Sequence, residues 1–306
     1  MTARELYLIG RKQLGEAGIE DPDSEAAALC ERFFGLDRQG IALDKGKKVD
    51  PQAEAEFFEA IEQRADGRPL QYIIGEWEFM GLPLKVGAGV LIPRDDTCVL
   101  VENMAARIKG IIKEEGPKMQ MRGLDLCAGT GAVALGLCSL VPRLSVTCVE
   151  VDAMAMSYLK TNLKNYPQYN TKALRGDVLL LGTLALLPGE YSFIAANPPY
   201  IRAWEIRLLQ QEIQWEPRMA LDGGSDGLRF YRAIAGFWTK KLAPGGILGV
   251  EVGEGQARTV GEMLYDAGLR DIEAYNDIGG TQRAVIGRMP PKLKPEESEG
   301  LEAQPE

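Results

Sequence analysis

Leu124-Asp125-Leu126-Cys127-Ala128-Gly129-Thr130-Gly131-Ala132 ends an apolar strand in a run of small residues and opens a helix. Small residues at that junction let a ligand lie against backbone amides, and an acidic Glu150 closes the next strand about twenty residues on, where it can accept from a ribose diol. Gly129, Gly131 and Ala134 also satisfy the G-x-G-x-x-A form of dinucleotide enzymes. Asp125 weighs against that reading, because a carboxylate beside the glycine turn repels a pyrophosphate and suits a cationic ligand such as S-adenosylmethionine. Asp177, in the Gly176-Asp177 pair after the third strand, can accept from an adenine amine.

Outward from this stretch, strands and helices alternate. Strands are predicted at Gly123 to Leu126, Ser145 to Val149, ahead of Gly176, and at Tyr191 to Ala195, with helices to Val141 and from Ala153 to Asn165 between the first three. A helix from about Gly227 to Leu242, a strand Ile247 to Val252, a helix Gln256 to Ala267 and late strands near Ile272 and Val285 follow. This rhythm predicts an α/β fold, a doubly wound and mostly parallel sheet with its ligand at the carboxyl ends of the strands. Residues 1–70 read as a helical unit: Leu6, Ile9, Leu14 and Ile19, then Ala26, Leu29, Cys30, Phe33 and Phe34, recur at helical spacing, with Gly18 and Gly35 as stops. A third helix is expected after Asp50-Pro51, where Asp caps and Pro takes the first turn. The basic cluster Lys45-Gly46-Lys47-Lys48 reads as a solvated loop or a contact for an acidic partner. Residues 71–93 read as a hairpin connector of short runs, among them Tyr72-Ile73-Ile74 and Trp77-Glu78-Phe79-Met80, broken by glycines. Residues 94–289 form the α/β domain. Residues 290–306, rich in Pro and Glu, are expected to be a disordered acidic tail.

Composition narrows the chemistry. The 306 residues are 45% hydrophobic and carry a formal charge of -9, which disfavours nucleic-acid wrapping. The absence of histidine removes imidazole bases, Ser-His-Asp and Cys-His systems and His-ligated metals. Five scattered cysteines without C-x-x-C spacing argue against zinc or a disulfide framework, and no metal is expected. No leader or apolar span appears, so the expectation is a cytoplasmic protein with reduced thiols and no membrane contact.

Asn197-Pro198-Pro199-Tyr200 follows the strand Tyr191 to Ala195 directly. Two prolines fix the backbone and supply carbonyls without competing donors, so the Asn197 side-chain oxygen and the Pro198 carbonyl can converge on both hydrogens of a planar NH2 group. Tyr200 adds an aromatic face or edge for the group that carries that nitrogen. Two acceptors pull a delocalised amide nitrogen toward a pyramidal, more nucleophilic state, and a sulfonium methyl is already activated, so no histidine is required. In-line positioning, which can supply on the order of 7 to 11 kcal/mol, becomes the main catalytic contribution.

These residues resemble the class I S-adenosylmethionine-dependent methyltransferases that modify planar NH2 nitrogens. Arg68-Pro69-Leu70-Gln71-Tyr72-Ile73-Ile74-Gly75, Phe79-Met80-Gly81-Leu82, Val90-Leu91-Ile92-Pro93-Arg94, Glu216-Pro217, Ala220-Leu221-Asp222-Gly223-Gly224, Asp226-Gly227-Leu228 and Glu251-Val252-Gly253 with Gln256 narrow the likeness to the PrmC/HemK family. The resemblance spans residues 68 to 288. It implies a seven-stranded Rossmann-like sheet and methyl transfer to the glutamine of the Gly-Gly-Gln loop in peptide chain release factors, with S-adenosylhomocysteine as product. It further implies that Cys127, Ala128, Gly129, Thr130 and Gly131 line the methionine end of the cofactor and Glu150 holds the ribose, with Val178 beside the adenine. Asn197, Pro198, Pro199 and Tyr200 would clamp the glutamine, with Phe79, Pro93 and Arg94 bordering the site. The helical unit would hold the release factor, and the enzyme would act as a monomer without binding nucleic acid directly. Two stretches depart from the family pattern: Cys127-Ala128 stand where Gly-Thr is usual, and Asp95-Asp96-Thr97 where Pro-Glu-Thr is typical. The alternatives are an adenine-amine methyltransferase on DNA or RNA, a nicotinamide dehydrogenase, and a binding protein with a degenerate fold.

Overall fold

The computed structural model describes residues 1–44, 46–116 and 120–292. Lys45 and the tail from residue 293 onward lie outside the described residues. Two compact units emerge: Met1–Trp77 with Val86–Ala88 and Leu209–Glu216, and Glu78–Lys85 with Gly89–Leu208 and the chain from Pro217.

The first unit is helical: α1 (Ala3–Glu16), α2 (Pro22–Phe34), α3 (Arg38–Ala42), α4 (Pro51–Ala65) and α5 (Leu70–Ile74). Thr2 and Glu5 close a capping box on α1, and Gly35 ends α2 in the left-handed conformation at φ 66°. Asp50 accepts from the amides of Gln52 and Ala53, with Pro51 in the first turn of α4. Leu6, Leu14, Leu29, Phe57 and Ile61 form the core. Arg64 is buried there and ion-paired to Glu25 and to Glu212. Tyr72-Ile73-Ile74 corrects the connector reading, since these residues lie in helix α5, not in a strand. Three apolar residues do not distinguish the two periods, whereas Pro69 before them and left-handed Gly75 after them suit a single helical turn.

A two-stranded hairpin, β1 (Glu76–Phe79) and β2 (Leu82–Lys85), follows. Met80 and Gly81, both at positive φ, make its two-residue turn. The longest helix, α6 (Thr97–Glu115), comes next and is absent from the sequence reading, although Leu100, Val101, Met104, Ala105, Ile108 and Ile111 mark its buried face.

Alternating elements then build the sheet: β3 (Arg122–Leu126), α7 (Ala132–Leu140), β4 (Ser145–Glu150), α8 (Ala153–Asn165), β5 (Asn170–Arg175), α9 (Gly182–Ala185), β6 (Tyr191–Ala196), α10 (Arg218–Leu221), α11 (Arg229–Phe237), β7 (Leu242–Glu251), α12 (Ala257–Asp266), β8 (Arg270–Asn276) and β9 (Gln282–Arg288). The seven strands run in the order β5-β4-β3-β6-β7-β9-β8, with β9 antiparallel to both neighbours and the rest parallel. The helix expected to reach Leu242 ends at Phe237 and continues only as a 3-10 turn, and β7 begins at Leu242, earlier than predicted. One apolar layer includes Leu100, Met104, Leu135, Leu159 and Phe193, and the opposite one Leu124, Ile194, Tyr231, Trp238 and Leu248. Among the described residues no helix is long and apolar enough to cross a membrane.

Candidate active site

The order of connections reverses between β3 and β6, and a cavity opens at the carboxyl ends of the strands there, as expected for a doubly wound sheet. The turn after β3 forms its floor. Cys127, Gly129 and Gly131 all have positive φ, at 60°, 54° and 85°. The Ala128 amide donates to the Val149 carbonyl (3.0 Å) and the Gly131 amide to the Ala128 carbonyl (2.7 Å). A Cβ on Gly131 would stand 2.9 Å from Leu159. The left-handed backbone at Cys127 gives a physical reason for the glycine usual in the resembled family. Burial, followed by the carboxylates of Glu150, Asp125 and Asp177, pushes the Cys127 thiol well above its ordinary value, so it rests as a neutral wall and not as a nucleophile. Asn162, fully buried on α8, braces this turn: its amide donates to the Thr130 carbonyl (3.0 Å) and exchanges bonds with the Lys85 backbone (2.7 and 3.0 Å).

Glu150 accepts from the Gly129 amide (2.9 Å) through Oε2 and from the Val151 and Asp152 amides (2.8 and 2.9 Å) through Oε1. Of the roughly four acceptor positions of a carboxylate, about one remains for a ligand hydroxyl. Asp177 accepts from the Leu179 amide (2.8 Å) through Oδ1. Beside it Val178 is nearly buried, held by a bond from the Trp238 indole to its carbonyl (2.9 Å). Cys127, Ala128, Gly129, Thr130, Glu150, Asp177, Val178, Asn197 and Pro199 line one cavity, together with Pro93. Glu150, Asp152 and Asp177 outnumber the lining cation Arg229 in a mostly apolar wall, which suits a cationic ligand that carries a diol and an aromatic amine.

Other predicted residues sit elsewhere. Asp125 and Gly131 are outside the lining. Asp125 is 1% exposed, its Oδ2 accepting from the Ala134 amide (3.1 Å) while Oδ1 has no partner. Burial, with Glu150 adding to it, pushes Asp125 up to about 7. Phe79 corrects the expectation that it borders the site. It is 2% exposed, in the core beside Gly136 of α7, because the hairpin turns this face inward. Arg94 is also outside the lining, one residue past Pro93.

Asn197 is held on one side, its Nδ2 donating to Thr97 Oγ1 (3.2 Å). Thr97 lines the cavity, yet the sequence reading gives it no role. Pro198 and Tyr200 are not among the lining residues, though each is the immediate neighbour of Pro199, which is. The Tyr200 hydroxyl donates to Glu251 Oε1 (3.3 Å), and its carbonyl accepts from Gln256 Nε2 (3.0 Å). The Tyr200 backbone is seated among glycines: a Cβ on Gly223 would meet Tyr200 Cα at 2.8 Å, and one on Gly227 would meet the Tyr200 carbonyl oxygen at 2.4 Å. Glu251 is 2% exposed with Oε2 unpartnered. Burial pushes it up to about 7 against the opposing pull of Thr97 and Tyr200.

Comparison with known proteins agrees with this architecture. Residues 5–75 match the family model of the PrmC N-terminal domain and residues 97–224 that of the methyltransferase small domain. The chain is similar to the release factor glutamine methyltransferase of Geobacter sulfurreducens, 36% identical over 94% of this chain and 97% of that protein. It is also similar to the one of Thermodesulfovibrio yellowstonii, 38% identical over 86% and 91%. In fold it is similar to the hMettl16 catalytic domain solved in complex with MAT2A 3'UTR hairpin 6, at 15% identity, with 80% of this chain and 84% of that one covered and a TM-score of 0.53. With relatives this similar over nearly its whole length, and with both parts matched in order, the chain belongs to the release factor glutamine methyltransferase family.

Proposed function

We propose that this protein transfers a methyl group from S-adenosylmethionine to the side-chain amide nitrogen of the glutamine in the Gly-Gly-Gln motif of peptide chain release factors. The observation that carries the reading is Asn197 and Pro199 standing in the wall of the same cavity as Glu150 and Asp177. Bound there, S-adenosylmethionine supplies a methyl already activated on positive sulfur and leaves as S-adenosylhomocysteine. Glu150 orients the ribose, Asp177 and Val178 the adenine, and Cys127 to Thr130 border the methionine end.

The Asn197 side-chain oxygen and the Pro198 carbonyl accept the two amide hydrogens of the glutamine. This concentrates electron density on the nitrogen and aims it at the methyl, and the proton released on transfer passes to water. Positioning of this kind is worth on the order of 7 to 11 kcal/mol, which answers how a chain without histidine catalyses the step. The helical N-terminal domain, residues 1–70, serves to hold the release factor. The protein works as a monomer in the cytoplasm, where its five free cysteines stay reduced.

Incubation with labelled S-adenosylmethionine and an unmethylated release factor, followed by mass spectrometry of the Gly-Gly-Gln peptide, tests the assignment, with DNA and RNA in parallel. A gain of one methyl on that glutamine is expected. Label on nucleic acid alone would overturn the substrate.

A further inference from the structure

An Asn side chain carries an acceptor and a donor group of nearly the same shape. The clamp works only if Oδ1 faces the substrate NH2, since the reversed amide would set donor against donor. The prolines fix the backbone at Asn197 but leave this rotation undetermined.

The structure shows what determines it. Asn197 Nδ2 donates to Thr97 Oγ1 at 3.2 Å, so Oδ1 is the amide atom turned away from Thr97. Thr97, 3% exposed, is the first residue of α6, which fixes its position independently of the Asn197 loop. A hydroxyl could equally donate, which would invert the preference, so its own proton needs another acceptor. Glu251 at the end of β7, 2% exposed, accepts from Tyr200 on Oε1 and has no partner on Oε2, and the Thr97 side chain is one of the groups that hold its carboxyl down, so an acceptor is available to that proton. A carboxyl oxygen accepts in either protonation state. With the Thr97 proton directed to Glu251, the hydroxyl offers Asn197 only a lone pair.

We infer that Thr97, backed by Glu251, is a positioning residue that sets the rotation of the Asn197 amide and thereby presents its oxygen to the target nitrogen. The inference rests on the proposed reaction for its kinetic consequence, but the rotation itself belongs to the free protein. It also gives the Asp95-Asp96-Thr97 stretch a function in the one residue that keeps the family pattern.

The test uses the full chain and two variants. Thr97→Val keeps the shape and removes the hydroxyl, and Thr97→Ser keeps the hydroxyl. With release factor as substrate, Thr97→Val is expected to lower kcat by about 10- to 100-fold, the scale of a misplaced reacting group, while KM for S-adenosylmethionine stays within about threefold. Thr97→Ser should restore kcat to within about threefold of the parent. In parallel, the Asn197 side-chain NH2 signals, assigned by their loss in Asn197→Asp, are followed by nitrogen-15 NMR without substrate. They should shift and lose exchange protection in Thr97→Val and keep both in Thr97→Ser.

A Thr97→Val enzyme with parental kcat and unchanged NH2 signals overturns the inference, as does a Thr97→Ser enzyme as impaired as Thr97→Val. If the parent transfers no methyl to a release factor, the proposed reaction fails, and the NMR comparison still decides the role of Thr97.

Discussion

Replacing Gly227 by alanine should damage catalysis without touching the cofactor. Gly227 is outside the cavity lining, at φ +76°, and a Cβ there would stand 2.4 Å from the Tyr200 carbonyl oxygen and 2.7 Å from Gln256 Nε2. Ordinary contact begins near 3.4 Å, so the carbonyl must retreat by about 1 Å or the bond it accepts from Gln256 must open. The left-handed backbone costs alanine about 1 to 2 kcal/mol, and the loosened hydrogen bond about 1 more, so stability should fall by about 2 to 3 kcal/mol. Tyr200 is three residues past Asn197 on a proline-stiffened segment, so the displacement passes to the clamp. A reacting group misplaced by about 1 Å costs on the order of 100-fold. The assay is single-turnover methyl transfer to a release factor beside calorimetric binding of S-adenosylmethionine, with Gly236→Ala as control. That glycine, in α11, has open space for about 4 Å around the place a Cβ would take, so its variant should match the parent in both assays. A folded Gly227→Ala enzyme with parental turnover, or one that loses cofactor affinity in proportion to turnover, would refute the seating argument.

Three further outcomes follow from the same geometry. Asn197→Ala should lower kcat by at least about 100-fold, the usual loss for one preorganised hydrogen-bonding group, with cofactor affinity held within severalfold by calorimetry. Asp125 keeps in the folded state a proton that the unfolded chain gives up, its value rising from 3.8 to about 7, so wild-type stability declines as pH rises through that window and the decline ends above about 7. Asp125→Asn removes this slope, and urea unfolding should show the variant gaining about 3 kcal/mol on the wild type between pH 5 and pH 8. Glu251, raised from 4.5 to about 7, contributes the same sign in both proteins. Cys127→Gly relieves left-handed strain at φ 60° and should raise the unfolding midpoint by the equivalent of about 1 kcal/mol; a lower midpoint would show that thiol packing outweighs the backbone.

What could be read from the chain is what local chemistry controls. Asp50-Pro51 starts α4 where expected, α8 runs from Ala153 to Asn165 as predicted, and short apolar runs between turns mark the strands. The motif turn and the Asn-Pro-Pro-Tyr segment are contiguous, so their places at the ends of β3 and β6 were legible too. Contacts between distant residues were not. Nothing near Phe79 announces that it packs beside Gly136, and nothing near Tyr200 announces that its hydroxyl turns to Glu251. Thr97 stands a hundred residues from Asn197, and only folding brings the hydroxyl to the amide. Tyr72 to Ile74 is ambiguous for a different reason: the segment is too short for its period to distinguish helix from strand.

The same distinction explains stretches that carry no chemistry of their own. Gly223, Gly227, Gly253 and Gln256 belong to segments patterned as strongly as the clamp, yet none of them lines the cavity. Each closes on Tyr200: Gly223 on its Cα, Gly227 on its carbonyl, Gly253 on its ring, and Gln256 by a hydrogen bond while its own Oε1 accepts from the Gly253 amide (3.0 Å). The near end of the clamp is fixed by Asn197 on Thr97, the far end by this seat, and two prolines stiffen the span between. A reaction driven mainly by placing one nitrogen against one methyl needs a reference point that does not move when substrate arrives. Close backbone approach provides that, because a glycine-lined seat has no side chain to relax. The rate should therefore be as sensitive to these remote glycines as to the residues that touch the substrate, whereas cofactor affinity, which the proposed binding mode assigns to Glu150 at the end of β4 and Asp177 just after β5, should not be.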